Sequence, residues 1–337
     1  MNSNLNVQGF FLIDVDVVAL NNSGKSSKSN NDNVLETKSI TKNGEKYTYV
    51  SGQALRFWWR NSLQKNYDWK LSPIMKAKKI AYTEANPIEY PDDDVFGYAK
   101  LDKNNLTRVS PLKNSALISV CPVRIARNNS VMARQNNDPV PYIKEEYSAI
   151  MKGMFSLDLN MLGTFSSYNR AGFQNLNVDN LDLKLNQYSE IEDPYISGEK
   201  LIQLPVKVRV KRATETIKAL KNISGGAMQT CNMGDVTPKF IVLALAKTGN
   251  HPFSHIVSSY GDWNDRVKLN IEALKEVIED YKDDFIGKIY IGKRTGFWDE
   301  LNLQSKLGEN NLFQIGPVNQ IIDEYCEFIS NQMESRQ

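Results

Sequence analysis

The chain has 337 residues, of which 41% are hydrophobic and 24% charged, a composition typical of a globular protein with a sizeable core. Its 41 basic and 39 acidic residues leave a net charge of only +2, so any site for a polyanion has to come from local clustering. Apolar runs stay short of the roughly 20 residues that span a bilayer, and a signal peptide is lacking, which predicts a soluble cytoplasmic protein.

The first predicted element is a strand. From Gly9 to Leu20 apolar and polar residues alternate, which is the period of a half-buried strand. The stretch Asn21–Lys46 is rich in Asn, Ser, Gly and Lys and poor in apolar residues, so it is predicted to be a loop. A loop of this length favours a functional or ligand-ordered segment.

A helix is predicted over residues 51–65. Ser51 is an N-cap residue, and the apolar positions that follow recur at helical spacing: Leu55, Trp58, Trp59 and Leu63. Gln53, Arg56 and Arg60 share another stripe, near the positive end of the helix, which indicates an anion site. The alternative is an ordinary amphipathic helix with solvated arginines.

The central part of the sequence gives weaker signals. Asp92-Asp93-Asp94 lacks the glutamate spacing of a calcium loop and is interpreted as the charged edge of a helix or turn. Ser115–Ile125 is predicted as a strand, and Pro122 favours an edge position. Arg124 and Arg127 begin a predicted polar loop that reaches about residue 146. A further strand is predicted over 151–160, and 163–205 is interpreted as an insertion or hairpin.

Valines and basic residues alternate along Pro205–Arg212, which predicts a strand. Lys207, Arg209 and Lys211 would then share one face, and such a ridge could follow a phosphodiester backbone. An edge strand protected by charges against aggregation is the alternative. A short helix is predicted from 212 to 222.

Ile223–Gly234 is a glycine-containing loop before a predicted buried strand at 238–247. Gly225 and Gly226 fit neither a Walker loop nor a dinucleotide fingerprint, but they would permit close approach of a ligand to the backbone. The remaining predicted elements are a helix over 267–281, a strand over 286–291 and a helix over 318–329. The histidines and cysteines lack metal-binding spacing, so we expect no metal and no cofactor.

The order of the predicted elements is β-α-β-β-α-β, that of a ferredoxin-like or RRM-like α+β fold with long insertions. The aromatic motif of ordinary RRM domains is absent from the sequence, so RNA would be held by basic loops rather than by bases stacked on the sheet.

Several short stretches, taken in this order, resemble one protein family. They are the strand at 10–20 with its Asn-rich loop, Tyr49–Arg56, Asp94–Gly97, Leu157–Leu159 close to Leu162-Gly163, and Gly225-Gly226 before Phe240–Ala246. The chain resembles the backbone subunit of type I CRISPR effector complexes (Cascade), most closely the DevR group of type I-B systems. The resemblance spans about residues 9 to 255.

The resemblance implies an RRM-like palm over residues 1–255, with a helical finger region at about 66–114 and a thumb β-hairpin at about 164–211. Residues 256–337 would form a C-terminal helical segment packed on the palm. Copies would stack into a helical filament along CRISPR RNA. The implied RNA contacts are Asn21, Asn22, Ser23, Lys25, Ser51, Gln53, Arg56, Arg60, Arg124, Arg127, Lys207, Arg209, Lys211, Gly225 and Gly226.

The implied role is that of a non-catalytic scaffold for the recognition of foreign DNA. Its partners would be CRISPR RNA, target DNA paired with the guide, further copies of itself, a small backbone-end subunit, a large subunit and the guide-processing endonuclease. Two alternatives remain open. One is a metal-dependent target-RNA endoribonuclease that uses Asp32, by similarity to type III relatives, and the other is a stand-alone single-strand RNA-binding protein.

Overall fold

The computed structural model describes residues 4–25, 34–77, 80–101, 105–132, 134, 136, 138, 140–169, 174–177, 188–260, 266–307 and 311–336. It confirms a mixed α+β fold built on a large sheet. No helix in these ranges is long and apolar enough to cross a membrane.

The described residues form strands and helices that we number in chain order. The strands are β1 (Asn6–Val18), β2 (Asn22–Lys25), β3 (Val34–Thr37), β4 (Ser39–Lys42), β5 (Glu45–Val50), β6 (Ile74–Ala77), β7 (Ile80–Thr83), β8 (Tyr98–Lys100), β9 (Leu106–Arg108), β10 (Leu112–Asn114), β11 (Leu117–Ser119), β12 (Ala126–Met132), β13 (Val140–Asp158), β14 (Thr164–Ser166), β15 (Ser189–Glu192), β16 (Lys200–Gln203), β17 (Phe240–Ala246), β18 (Val257–Tyr260), β19 (Arg266–Leu269), β20 (Phe285–Lys293) and β21 (Phe313–Gly316). The α-helices are α1 (Gly52–Tyr67), α2 (Pro91–Phe96), α3 (Val206–Lys218), α4 (Gln229–Asn232), α5 (Ile271–Asp280), α6 (Leu303–Leu307) and α7 (Val318–Glu334). Short 3-10 turns lie at Ala219–Asn222 and Pro252–His255.

The main sheet runs in the order β21-β20-β17-β1-β13-β11-β5-β4. Strand β1 lies at its centre, antiparallel to both β17 and β13. Phe11 and Ile13 enter one core with residues of α1, α3 and α7, whereas Phe10 and Leu12 enter a second core with residues of α5 and α6. Because alternate residues of a strand point to opposite faces, both faces of β1 are covered and its middle is fully buried.

The predicted loop at 21–46 was wrong in part, because its described residues include three short strands and the start of a fourth. Strand β3 pairs in parallel with β13, and β4 pairs with β5 at the edge of the sheet. All four residues of β4 are exposed, so a solvent-facing polar sequence concealed the pairing.

The predicted strand at 115–125 is confirmed only over Leu117–Ser119. Strand β11 is paired on both sides, with β5 and with β13, so the predicted edge position was wrong. The predicted polar loop after residue 124 is instead a long antiparallel hairpin of β12 with the first half of β13.

The predicted strand at 205–212 was wrong, because α3 begins at Val206 and continues to Lys218. The alternating valines also satisfy a helix whose inner side is apolar: Val206 and Val210 are four residues apart and pack on the core. The short helix predicted to begin at 212 is therefore the second half of a longer helix.

The described residues of the implied finger region include five short strands, and among them only Pro91–Phe96 is α-helical beyond the end of α1. The implied thumb region contains a three-stranded sheet, β14-β16-β15, and ends in α3. The C-terminal segment is not purely helical, since β20 pairs with β17 and continues the main sheet.

Candidate RNA interface

The N-terminus of α1 is held by two polar side chains. The Ser51 hydroxyl accepts a hydrogen bond from the backbone N–H of Ala54 at 3.3 Å, as predicted for an N-cap. The Ser51 backbone N–H donates to the side-chain oxygen of Asn21 at 3.0 Å. The loop after β1 is therefore fixed to the positive end of the helix dipole.

The glycine loop closes on the same place. The backbone N–H of Ala227 donates to the carbonyl of Leu20 at 3.0 Å. A Cβ at Gly225 would lie 2.2 Å from the Trp58 ring, and Gly226 has a φ of +113° beside Leu20. These glycines are therefore required by protein packing, whatever they contribute to a ligand.

We call the place where these segments meet the α1 junction; it comprises residues 20–23, 51–53 and 225–227. The structure thus brings together three separate stretches of the sequence prediction. Gln53 and Ser23 are exposed there, and Ser23 donates a hydrogen bond to the Glu36 carbonyl. The Asn22 side-chain oxygen is buried without a hydrogen-bond partner among the described residues. Lys25 ends β2, and its side chain lies outside the described part.

Arg56 lies beside the junction but is engaged by the protein. Its guanidinium donates to the carbonyls of Leu112 and Phe96 and to the side chains of Asn114 and Ser110, at 2.5–3.0 Å. Four of its five N–H donors are thus used by uncharged acceptors. Burial, followed by repulsion from Arg60, lowers the pKa of Arg56 to about 10, so the group remains charged at neutral pH.

Arg60 lies one turn further along α1. Its guanidinium stands 4.1 Å from the centre of the Phe96 ring and 3.8 Å from the Asp92 carboxylate. Burial lowers the pKa of Arg60, and Asp92 and Asp93 oppose this shift. Burial likewise raises the pKa of Asp92 to about 6. The side chain of Arg60 is 28% exposed, so part of its surface faces outward.

The three basic residues predicted as a ridge do not share a face, because they lie on α3 rather than on a strand. Lys207 and Lys211 are exposed and four residues apart, and Lys211 lies 3.9 Å from Glu215. Arg209 points inward, where it donates to the carbonyls of Leu162 and Leu159 at 2.9 and 3.0 Å. A phosphate rail of three cations is therefore not present on α3.

The remaining predicted cations lie on the hairpin of β12 and β13. Arg127 donates to Glu145 at 2.9 Å and stands 3.6 Å from Glu36, which ties the hairpin to β3. Arg124 is exposed and precedes the hairpin. Arg127 therefore belongs to the hairpin rather than to the α1 junction.

The sequence reasoning missed a buried ionic cluster centred on Asp94, whose side chain is fully buried. Asp94 accepts hydrogen bonds from Arg108 at 2.5 Å, from Arg212 at 2.7 Å and from the Gly163 backbone N–H at 3.0 Å. A single sequence offers no signal for this cluster, because its members are far apart and charged residues are usually exposed. The cluster ties α2, β9, α3 and the β13–β14 turn together.

Among the described residues, no group of three or more His, Cys, Asp or Glu side chains is arranged to hold a metal ion. Asp32, the residue of the endoribonuclease alternative, lies outside the described residues.

Comparison with known proteins gives a family and a fold. Residues 11–270 match the family described as CRISPR-associated negative auto-regulator DevR/Csa2. A search of curated proteins gives no match. The structure is similar to a chain of a "CRISPR RNA-guided surveillance complex", with a TM-score of 0.57 and 11% identity, over 96% of this chain and 99% of that one. A chain of a "CRISPR RNA-guided surveillance complex, pre-nicking" is similar over the same shares, with a TM-score of 0.56 and 11% identity. The matched family covers most of the sequence, and the chain belongs to the DevR/Csa2 family of CRISPR-associated proteins.

Proposed function

We propose that the chain is a guide-RNA-binding subunit of a type I-B surveillance complex, and that copies of it line up along CRISPR RNA to form the backbone of that complex. Family membership and the fold shared with chains of RNA-guided surveillance complexes support this proposal. Its role is binding rather than catalysis. Target DNA is recognised through pairing with the guide, and the protein contacts the RNA backbone and shape.

The arrangement of the central strands supports an RRM-like palm. The neighbours β17, β1, β13 and β11 are all antiparallel and correspond to the fourth, first, third and second strands of a β-α-β-β-α-β unit. Helix α1 comes between the first and second of these strands, and α3 comes before the fourth. Both helices pack on the same face of the sheet. In this palm the α1 junction lies at the end of the first strand.

The observation that carries the proposal is the convergence at the α1 junction. The loop after β1, the capped start of α1 and the glycine loop are joined by direct hydrogen bonds between residues 21 and 51 and between 20 and 227. An exposed Gln53 and the positive end of a 16-residue helix are thereby presented together on one surface. Neutral donors beside a helix N-terminus suit phosphate groups of any sequence.

Within this site we assign different roles to the predicted residues. Gln53 and Ser23 contact the RNA directly, because their side chains are exposed at the junction. Arg56 braces the junction against β10 and the end of α2. The further copies, the large and small subunits, the processing endonuclease and the target DNA are the partners we propose for the assembled complex.

Salt-dependent RNA binding tests these roles. Gln53→Ala should lower the affinity for single-stranded RNA of any sequence and leave its salt dependence unchanged, because the side chain is neutral. Gln64→Ala is the matched control, since Gln64 is also exposed on α1 and lies about 16 Å further along the helix. Gln64→Ala should bind like the unsubstituted chain.

Arg56→Met separates bracing from direct phosphate contact. A bracing role predicts lower stability, while the slope of log affinity against log salt stays constant. A direct phosphate contact would instead reduce that slope by about 0.7, the value for one contact to a single strand. That outcome would contradict the bracing role, and equal affinity of Gln53→Ala and the unsubstituted chain would contradict the proposed surface.

A further inference from the structure

An aromatic side chain stands exposed in the middle of the outer face of α1. Phe57 is 61% exposed, although the neighbouring Trp58 and Trp59 are buried in the core. A single exposed apolar side chain is common on protein surfaces, so the residues around Phe57 decide whether it contacts a partner.

Phe57 lies on the same narrow stripe of α1 as Gln53 and Arg60, two residues that the sequence predicts to contact RNA. At 100° per residue, Gln53, Phe57 and Arg60 fall within a sector of about 60° around the helix. Gln53 belongs to the α1 junction, so the stripe is continuous with the proposed RNA surface. Gly225 packs against Trp58 on one side of the helix, and Phe96 contacts Arg56 on the other side. The stripe with Phe57 is the part of the helix surface that lies between these two contacts.

The guanidinium of Arg60 is held beside this stripe by contacts within the protein. It lies over Phe96 at 4.1 Å, and Asp92 stands 3.8 Å from its Nε. Its charge is thus already compensated within the protein, and 28% of the side chain is exposed. An aromatic ring and a flat guanidinium three residues apart, next to a side-chain amide, are the groups that bind an unstacked nucleobase.

We infer that Gln53, Phe57 and Arg60 form a seat for one unpaired base of the RNA. The base stacks on the Phe57 ring and the exposed part of the Arg60 plane, and the Gln53 amide reaches its edge or the adjoining phosphate. The inference rests on the proposed function, and it adds a base contact to a surface otherwise suited to the backbone. Stacking tolerates every base, so the seat does not impose a sequence on the guide.

Removal of the Phe57 side chain, or of the RNA bases that would stack on it, tests the seat. The affinity of the unsubstituted chain and of Phe57→Ala is measured for two single-stranded RNAs of equal length, one intact and one with the bases of a central stretch removed. Phe57→Ala should weaken binding of the intact RNA at least about fivefold, the lower bound for loss of one base–aromatic stack. On the abasic RNA the two proteins should bind alike. Leu312→Ala, which truncates another exposed apolar side chain, should behave like the unsubstituted chain on both RNAs.

The outcomes are distinguishable. An equal loss on both RNAs, or no loss on the intact RNA, overturns the seat while leaving RNA binding in place. Unchanged RNA affinity together with smaller multi-copy particles shows that Phe57 contacts a neighbouring copy, which also overturns it. Failure of the unsubstituted chain to bind either RNA refutes the proposed function, and the seat with it. Phe57→Ala is expected to fold, because the side chain is exposed and alanine favours a helix.

Discussion

Replacement of Asp94 by asparagine probes the buried ionic cluster directly. The Asp94 carboxylate is fully buried and balances Arg108 and Arg212, whose side chains are 1% and 6% exposed. Asparagine keeps the shape and can still accept from the Gly163 N–H, but it leaves two buried guanidinium groups without their counter-charge. Breaking a buried pair in this way costs about 3–5 kcal/mol, a large share of the roughly 5–15 kcal/mol of a folded protein.

Urea unfolding followed by circular dichroism measures this loss. Glu89→Gln is the matched control, because the pair of Glu89 and Lys70 is exposed and its loss should leave the free energy of unfolding nearly unchanged. Adding Arg212→Met to Asp94→Asn should recover part of the loss, since it removes an uncompensated buried charge. A loss below about 1 kcal/mol for Asp94→Asn, or no recovery in the double variant, would refute the cluster as an organising element.

Two further predictions concern the surroundings of the site. Burial raises the pKa of Asp92 to about 6 from 3.8, so the free energy of unfolding should fall by up to about 3 kcal/mol as pH rises from about 4 to 6. Asp92→Asn keeps an acceptor for the Ser72 N–H and lacks this loss, so its stability advantage should grow over that range; a constant difference would contradict the assigned shift. Gly225→Ala places a methyl group against the Trp58 ring and should cost about 1–3 kcal/mol and weaken RNA binding, whereas Gly249→Ala, with open space around its Cβ, should do neither. Thermal unfolding of both variants checks this, and equal melting temperatures would show that the loop does not pack as described.

Much of the central sheet and of its helices could be predicted from the sequence because these elements have clear periodicity. The alternation after Gly9, the cap at Ser51 and the apolar run at 240–246 predicted β1, α1 and β17 nearly at their observed positions. Pro205–Arg212 misled the reasoning because alternating valines fit a strand and a helix with an apolar inner side equally well. Tertiary packing on α7 decides between them.

The site was predicted as a set of segments but not as a set of contacts. Residues 21, 51 and 225 were named, and the structure joins their segments. The sequence could not show that Arg56 and Arg209 are held by backbone carbonyls. These carbonyls belong to residues far away in the chain, and the residue type alone does not tell a solvated arginine from one that binds them. The outward position of Phe57 could be predicted, because the helical spacing places it opposite Leu55 and Trp59.

The central claim is that this chain holds guide RNA along the α1 junction as part of a multi-copy backbone. The most direct measurement is the length and end sequence of RNA that co-purifies with the chain when it is expressed together with a CRISPR array and its processing endonuclease. The account predicts RNA of uniform length with repeat-derived ends in multi-copy particles, and its loss from a variant that combines Gln53→Ala with Phe57→Ala. Co-purified RNA of random length in a fixed one-to-one complex, or retention of the guide by that variant, would contradict the account.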